Sequence, residues 1–400
     1  MKICFISYWS CPLARLGVLR GGGANVYALN FANTLGELGH RVDIYTPIHR
    51  ENDSVDLKTH PNVRVAHLFH ATDDGYKDAI IFAENILKFI RKNSFSYDII
   101  HAHYYYSGFV GIELKRRLSI PLVVTFHTLG VIKKKYSGIT DEKRIEAERK
   151  IIQVCDRIIA SSELEKKSLI SEYGGSKNNI DIIYPGVDHK IFKPYGKVLS
   201  RNKLRLPKTK KIILFVGRID PIKGISLLVD ATSKIVSDHP EFEKNFRLLL
   251  IGGDIQNRKF WNNPEVQKIR YLIGVNNLSC CVKFLGSRPH DILPYYYSAS
   301  DVVVLPSFYE SFGLVVLEAM ASKSAVVASK VGGMQFLIKN RVNGRLFKSN
   351  NRRDLANVLW ETLLDDKARR KYSQEGYKYS QEFCWIIQAN KLINIYKTLV

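Results

Sequence analysis

Residues 211–224 read KIILFVGRIDPIKG and contain the pattern from which the fold follows. The run Lys211–Val216 has the length and the β-branched content of a strand that is buried on both faces. A turn with proline and glycine ends this run, and an amphipathic stretch follows it. A strand, a turn and a helix in this order are typical of a parallel α/β sheet.

The same alternation continues in both directions along the chain. Amphipathic stretches such as Ala24–Gly39 and Phe312–Ser322 predict helices between short β-branched runs. The predicted strands are Ile3–Tyr8, Val42–Tyr45, Ile99–Ala102, Leu122–Thr125 and Ile180–Tyr184, and in the second half Lys211–Val216, Arg247–Ile251, Val282–Phe284, Val302–Leu305 and Ala325–Ala328. We therefore expect an α/β protein built from doubly wound parallel sheets.

The length of 400 residues exceeds one ordinary hydrophobic core and suits two domains. A stretch rich in proline, glycine and basic residues, Pro185–Pro207, separates two packed patterns. We expect Rossmann-like domains at 1–193 and 194–378, and a terminal helix over 379–400 that returns to the first domain. Ligands of such sheets bind outside the carboxyl ends of the strands, so functional residues should follow strands and border a cleft between the domains.

The net charge is +22, of which +5 lies in residues 1–190 and +17 in residues 191–400. Such a field favours anionic partners. No nucleic-acid-binding motif accompanies the charge, so we expect no nucleic-acid partner. The N-terminal MKICFISYW suits a buried strand better than a signal peptide. A cytoplasmic protein is expected, with peripheral contact at the inner face of the membrane as the alternative.

Metal or cofactor chemistry is not predicted. The six cysteines show no metal-binding spacing and fit reduced thiols. His101, His103 and His127 follow predicted strands, but no carboxylate or cysteine is spaced to complete a metal site with them. The sequence also contains no Asp-x-Asp pair.

Three loops that follow predicted strands could bind phosphate groups. Leu19–Tyr27 contains three consecutive glycines before a helix, where backbone amides can approach an anion; a plain flexible loop is an equal alternative. Arg218 and Lys223 could clamp a diphosphate, although an exposed basic turn explains them as well. In Pro306–Glu318, backbone amides at the start of a helix suit phosphate oxygens, whereas Glu310 could simply complement the helix dipole.

These features, in this order, resemble the retaining glycosyltransferases of family 4, which have the GT-B fold. The most specific segments are VGRIDPIKG (216–224) and the Glu-x7-Glu segment Glu310–Glu318. The chain is most similar to the group containing sucrose-phosphate synthases and the D-inositol-3-phosphate glycosyltransferases. The segments that carry this similarity are GGANVYALNFANTLGELGH (22–40), HAHYYYSGFVGIELKRRLSIPLVVTFHTLG (101–130) and YPGVDHKIF (184–192).

The resemblance implies a retaining, metal-independent transfer of a hexose from a nucleotide-sugar, with a UDP-linked donor favoured over a GDP-linked one. It implies no protein base, because the leaving phosphate takes the proton of the acceptor. It assigns catalytic roles to His127, Arg218, Lys223 and Glu310. It assigns donor binding to Gly22, Gly23, Arg288, Ser311, Phe312, Gly313, Leu314 and Glu318, and acceptor binding to Asn25, Lys77, Tyr104, Thr128 and Arg144.

Four of the acceptor residues, Lys77, Tyr104, Thr128 and Arg144, lead to the hypothesis that the acceptor carries a phosphate. The alternative is that the same residues serve an unphosphorylated sugar. A lipid-linked or cell-surface glycan acceptor, with GDP-mannose as a donor, is another alternative. A non-catalytic nucleotide-sugar-binding subunit is a further one, which the presence of Arg218, Lys223, Glu310 and Glu318 disfavours. An epimerase of the same fold lacks support, because the Glu-x7-Glu segment fits transferases better.

Overall fold

The structure is a computed structural model that describes residues 1–14, 22–48, 56–70, 75–137 and 141–400. The chain divides into two compact units. The first unit comprises the N-terminal part of the chain up to Pro185 together with Trp385–Val400, and the second comprises Gly186–Cys384. The change of unit after Pro185 lies upstream of the domain boundary expected after residue 193.

The first unit contains an eight-stranded sheet. Its strands are β1 (Lys2–Ile6), β2 (Arg41–Pro47), β3 (Asp56–His60), β4 (Val63–Leu68), β5 (Ile99–His103), β6 (Leu122–Thr125), β7 (Arg157–Ala160) and β8 (Ile180–Ile182). Its helices before residue 185 are α1 (Gly23–Glu37), α2 (Gly75–Lys92), α3 (Tyr105–Leu118), α4 (Gly130–Ser137), α5 (Glu142–Val154) and α6 (Glu163–Ser171), with a 3-10 helix at Lys177–Asn179.

The strand order in this sheet is β3-β4-β2-β1-β5-β6-β7-β8. All described pairings are parallel except β3 with β4, which is antiparallel at the edge of the sheet. The order reverses direction between β1 and β5, so the loops that follow these two strands are neighbours. Strands β3, β4 and β7 were not predicted, because charged residues interrupt their apolar runs.

The second unit contains a six-stranded sheet. Its strands are β9 (Lys211–Val216), β10 (Phe246–Ile251), β11 (Val282–Phe284), β12 (Val302–Leu305), β13 (Val326–Ser329) and β14 (Arg345–Phe347). Its helices are α7 (Lys197–Lys203), α8 (Ile225–Asp238), α9 (Arg258–Trp261), α10 (Pro264–Val275), α11 (Leu293–Ala299), α12 (Leu314–Ala321), α13 (Met334–Leu337), α14 (Arg352–Leu364) and α15 (Asp366–Ser380), with 3-10 helices at Pro221–Lys223, Pro240–Asn245 and Gln381–Phe383.

The strand order of the second sheet is β11-β10-β9-β12-β13-β14, and every pairing is parallel. This is the order of a Rossmann sheet, with its reversal between β9 and β12. The strands are almost entirely apolar and buried because helices cover both faces. The sequence therefore predicted the strands of this sheet except β14, whose short run begins with Arg345.

The last helix, α16 (Trp385–Lys397), belongs to the first unit. It begins later than expected, because residues 379–383 lie in α15 and in a 3-10 helix. Its buried side follows helical spacing, at Trp385, Ala389, Leu392, Ile393 and Tyr396. Ile386 and Ile387 lie outside this buried side, since both are more than 40% exposed.

Among the described residues, no helix has both the length and the apolar character needed to span a bilayer.

Candidate active site

Two loops meet where the order of the second sheet reverses, because β9 and β12 are adjacent. The loop after β9 carries Lys223, and the loop after β12 carries Glu310. A backbone hydrogen bond of 2.8 Å from Phe308 N to Ile222 O joins the two loops. Gly224 has φ +65°, and a Cβ there would overlap the carbonyl oxygen of Pro306. This close approach therefore requires glycine.

Lys223 and Glu310 form an ion pair at this junction. The Nζ–Oε2 distance is 2.6 Å, and the two side chains are 20% and 21% exposed. Nearby in the sequence, an Arg218 Nη2 lies 3.8 Å from an Asp220 carboxylate oxygen. The other Asp220 oxygen accepts a hydrogen bond from Ile222 N and so caps the 3-10 turn that carries Lys223. Asp220 therefore contacts Arg218 directly and positions Lys223 by capping the turn on which Lys223 lies.

The backbone of Glu310 is fixed by a third loop, which follows β13. Gly333 N donates a hydrogen bond of 3.0 Å to Glu310 O. The adjacent Gly332 has φ +45°, and a Cβ on it would overlap the same oxygen. These two glycines were not predicted as part of the site. The signal that could have found them is a glycine pair shortly after the predicted strand Ala325–Ala328.

Helix α12 begins at Leu314, so the prediction that it starts at Phe312 is wrong. Gly313 is its N-cap residue with φ +100°, a conformation that breaks the helical path before Leu314. Phe312 is buried, with its ring 6.0 Å from that of Phe383. Ser311 Oγ donates a 3.2 Å hydrogen bond to the Tyr309 hydroxyl. Only Gly313 and Leu314 therefore belong to the helix start.

Glu318 lies within α12 and is nearly buried. Tyr297 Oη donates a 2.8 Å hydrogen bond to its Oε2, and His290 Nε2 lies 3.4 Å from its Oε1. Burial lowers the pKa of His290, but the hydrogen bond and charge of Glu318 outweigh this and raise it overall. An ionised carboxylate has about four acceptor sites, so Glu318 can accept further hydrogen bonds. The partners His290 and Tyr297 were not predicted.

Arg288 follows β11 in the same unit and is half-buried. Among the described residues, its buried Nε has no hydrogen-bond partner. A buried donor without a partner is costly in a folded protein and is satisfied when a ligand supplies an acceptor.

Three histidines lie together at the carboxyl ends of β5 and β6 in the first unit. His101 contacts Tyr396 Oη at 2.6 Å and Thr125 Oγ1 at 2.8 Å. His103 Nδ1 lies 3.3 Å from His127 Nε2. His127 has φ +63°, an uncommon conformation for a residue with a side chain.

Burial lowers the pKa of each of these histidines. It brings the pKa of His127 to about 3. Burial, with the charge of His127, also lowers the pKa of His101 to about 3, and that of His103 lies well below its usual range. The imidazoles are therefore neutral at neutral pH, and they can exchange hydrogen bonds without adding positive charge.

Tyr104, Thr128 and Arg144 are brought together in the first unit. Arg144 Nη2 donates to Thr128 O at 2.7 Å and to Thr128 Oγ1 at 3.0 Å. Its guanidinium carbon lies 5.0 Å from the centroid of the Tyr104 ring. Tyr104 itself has φ +77° directly before α3. These three predicted acceptor residues are therefore neighbours in the fold.

Arg144 is only 4% exposed and forms an ion pair with Glu148, which follows it at the (i, i+4) spacing on α5. Arg144 Nε donates to Glu148 Oε1 at 2.7 Å, and Glu148 Oε2 accepts from Gly130 N at 2.8 Å and from Tyr173 Oη. Burial raises the pKa of Glu148, against the opposing effects of Arg144 and Tyr173. The pair therefore holds the loop that contains His127 and Thr128, because Arg144 contacts Thr128 and Glu148 contacts Gly130.

The remaining predicted residues have other surroundings. Lys77 is exposed at the start of α2, and none of its described contacts joins it to Tyr104, Thr128 or Arg144. Asn25 is buried, and its Nδ2 donates to Ser10 Oγ and to Cys11 O, both at 2.5 Å. The described contacts of Asn25 therefore position the loop after β1.

Gly22 is the N-cap of α1, and Gly23 is the first residue of that helix. In the described part of the structure, a Cβ on Gly22 would meet no atom within 4 Å, so packing leaves space there. Residues 19–21 of the predicted glycine loop lie outside the described residues.

Two family profiles match this chain, one for each part of it. The profile described as Glycosyltransferase Family 4 matches residues 21–191, and the profile described as Glycosyl transferases group 1 matches residues 197–379. The chain is 32% identical over 410 residues to D-inositol 3-phosphate glycosyltransferase of Corynebacterium aurimucosum, an alignment that covers 99% of this chain and 96% of the relative.

Solved structures agree with these matches. Sucrose-phosphate synthase from Thermosynechococcus elongatus has a TM-score of 0.89 and 31% identity, with 100% of this chain and 98% of that chain covered. HepE of Anabaena in complex with UDP-glucose has a TM-score of 0.80 and 22% identity, with both chains fully covered; at this identity it supports the GT-B fold alone. The chain therefore belongs to the family 4 glycosyltransferases.

Proposed function

We propose that this glycosyltransferase moves a hexose from a UDP-sugar to a sugar phosphate, with retention of the anomeric configuration. The second unit binds the donor, and the first unit binds the acceptor. The observation that carries the proposal is the Lys223–Glu310 ion pair at the reversal point of a Rossmann sheet. Ligands of such sheets bind at this point. The six free thiols suit a reducing, cytoplasmic compartment.

For the donor, Arg218 and Lys223 neutralise the diphosphate and stabilise it as it leaves. Two fixed cations perform the charge neutralisation that a bound metal ion would otherwise supply. Glu310 hydrogen-bonds the hexose, and its pairing with Lys223 keeps its carboxylate oriented before the donor arrives. Glycines 22 and 23 give the diphosphate access to backbone amides.

The nucleoside is bound by Glu318 and Arg288. Glu318 accepts hydrogen bonds from the ribose hydroxyls, and its contacts with Tyr297 and His290 fix the orientation of the carboxylate. Arg288 offers its buried Nε, which has no partner among the described residues, as a donor toward the base. Backbone amides of Gly313 and Leu314, with Ser311 and Phe312 beside them, complete the phosphate contacts.

The acceptor phosphate contacts Tyr104, Thr128 and Lys77. Arg144 contributes positive charge, and it also holds Thr128 and the Tyr104 ring in place. The names of the two relatives described above, D-inositol 3-phosphate glycosyltransferase and sucrose-phosphate synthase, each contain a phosphorylated polyol or sugar. His127 borders the transferring sugar as a neutral hydrogen-bonding group. Asn25 positions the loop after β1.

A ligand-binding experiment tests the donor part of this proposal. The full-length protein is titrated with UDP, GDP and ADP while its thermal midpoint is followed. Because a ligand that binds only the folded state must raise the midpoint, UDP should raise it at concentrations where GDP and ADP do not. A larger shift with GDP would contradict the assigned base, and no shift with any of the three would contradict the donor site itself.

A further inference from the structure

A second cluster of reactive side chains lies in the second unit, apart from the residues assigned to the donor. Cys280 and Cys281 directly precede β11, and Glu243 belongs to the 3-10 helix Pro240–Asn245. Among the described residues, this is the group of three His, Cys, Asp or Glu side chains whose ligand atoms all lie within 4.8 Å of one another. No sequence motif indicates this cluster, because Glu243 is 37 positions from Cys280.

Four potential ligand atoms converge in this cluster. The two Sγ atoms are 3.1 Å apart. Cys281 Sγ lies 3.1 Å from the backbone oxygen of Glu243, and Cys280 Sγ lies 3.6 Å from its Oε1. Both cysteines are free thiols. Two sulfurs, one carboxylate oxygen and one carbonyl oxygen therefore lie close together.

These separations are close to those of a tetrahedral metal site. With metal–sulfur bonds of about 2.3 Å and metal–oxygen bonds of about 2.1 Å, a sulfur and an oxygen ligand lie about 3.6 Å apart, and two sulfurs about 3.8 Å. The Cys280–Glu243 separation already has this value. The two sulfurs must separate by roughly 0.7 Å, and Cys280 can make this movement because it is exposed.

We propose that Cys280, Cys281 and Glu243 bind a thiophilic divalent cation of the zinc type. Soft thiolate ligands select such ions over magnesium or calcium. On binding, the two thiols release their protons to solvent, and no electron transfer is involved. The ion joins the 3-10 helix Pro240–Asn245 to the start of β11. Because Cys281 belongs to the hydrophobic core of the second unit, this link stabilises that unit.

Cadmium provides a direct probe, since cadmium–thiolate bonds absorb in the ultraviolet. The reduced full-length protein should show an absorbance that saturates at one equivalent of Cd²⁺, together with a higher thermal midpoint. Cys280→Ser, at an exposed position, should lower this absorbance, because only the Cys281 thiolate remains, and should weaken binding at least tenfold. Glu243→Gln should weaken binding while the absorbance persists at higher Cd²⁺.

Cys384→Ser is the matched control, because it removes another free thiol of the same unit. Its cadmium titration should equal that of the unmodified protein. Undiminished absorbance with unchanged cadmium affinity in Cys280→Ser, or the absence of saturable absorbance from the unmodified protein, would overturn the proposal. Both readouts are independent of sugar transfer, so failure here leaves the proposed function unaffected.

Discussion

The ammonium group of Lys223 and the carboxylate of Glu310 lie 2.6 Å apart, although 87 positions separate the two residues in the chain. The contact exists because the loops after β9 and β12 are neighbours in a sheet whose strand order reverses between them. Each side chain holds the other in the position where we propose that the donor binds. The two residues therefore act as one preorganised unit.

Replacing Lys223 with alanine should lower kcat/KM for the UDP-sugar on the order of 100-fold or more, because a cation that stabilises the leaving diphosphate is lost. Lys234→Ala is the control, since Lys234 forms an exposed ion pair with Asp238 on α8. Such pairs contribute roughly 0.3–0.5 kcal/mol, so this variant should keep its activity. Equal activity of the two variants, measured as UDP release, would remove Lys223 from the mechanism.

Gly224→Ala should destabilise the second unit by about 2 kcal/mol or more, because a positive φ and a collision with Pro306 O combine at this position. Gly274→Ala is the matched control within helix α10, where a Cβ meets no described atom within 4 Å. Alanine there should raise stability by about 0.5–1 kcal/mol. Urea unfolding measures both changes; a Gly224→Ala protein as stable as the parent would refute the close approach of the loops.

Glu148→Gln should cost about 3 kcal/mol of unfolding free energy, because it leaves the buried Arg144 charge without its partner. The comparison variant is Glu113→Gln, which breaks surface pairs with Arg116 and Arg117 and should cost below about 1 kcal/mol. Glu148→Gln should also raise KM for the acceptor more than KM for the donor, since Arg144 holds Thr128. Equal effects on both KM values would contradict the placement of Thr128 in the acceptor site.

The buried histidines make stability depend on pH. The pKa of His127 is about 3 in the folded protein and about 6.5 when unfolded. Stabilisation is therefore complete above pH 6.5 and declines as pH falls toward 3, by up to about 1.4 kcal/mol per pH unit. His127→Asn, which tolerates a positive φ, should reduce the slope of unfolding free energy between pH 6.5 and 4.5. An unchanged slope would show that His127 is not buried in its neutral form.

The sequence predicted the parts of the site that follow long apolar strands. Arg218, Lys223 and Glu310 could be found because each lies shortly after such a strand. Their pairing could not be predicted, because it depends on the strand order, which the sequence does not state. Arg144 was predicted from a resemblance, and its (i, i+4) spacing from Glu148 on α5 is visible in the sequence, but the burial of the pair depends on how α5 packs, which the spacing does not show.

Partners that lie far away in the chain were missed for the same reason. Tyr297 lies on α11 and His290 lies before it, with β12 between α11 and the helix of Glu318, and neither residue carries a motif of its own. Gly332 and Gly333 show a local signal, but the conformation that makes them necessary is visible only beside the backbone of Glu310. Apolar runs do not indicate strands that charged residues interrupt, such as β4.

The most direct test of the proposed function is UDP release from a UDP-hexose, measured with inositol phosphate and hexose phosphates and with the same acceptors after phosphate removal. We expect at least one phosphorylated acceptor to support transfer with a kcat/KM on the order of 100-fold above that of its dephosphorylated form. The dephosphorylated acceptor lacks the charge-assisted contacts that the phosphate makes. The product should retain the anomeric configuration of the donor. Equal rates with both forms of every acceptor would contradict a phosphate-binding acceptor site.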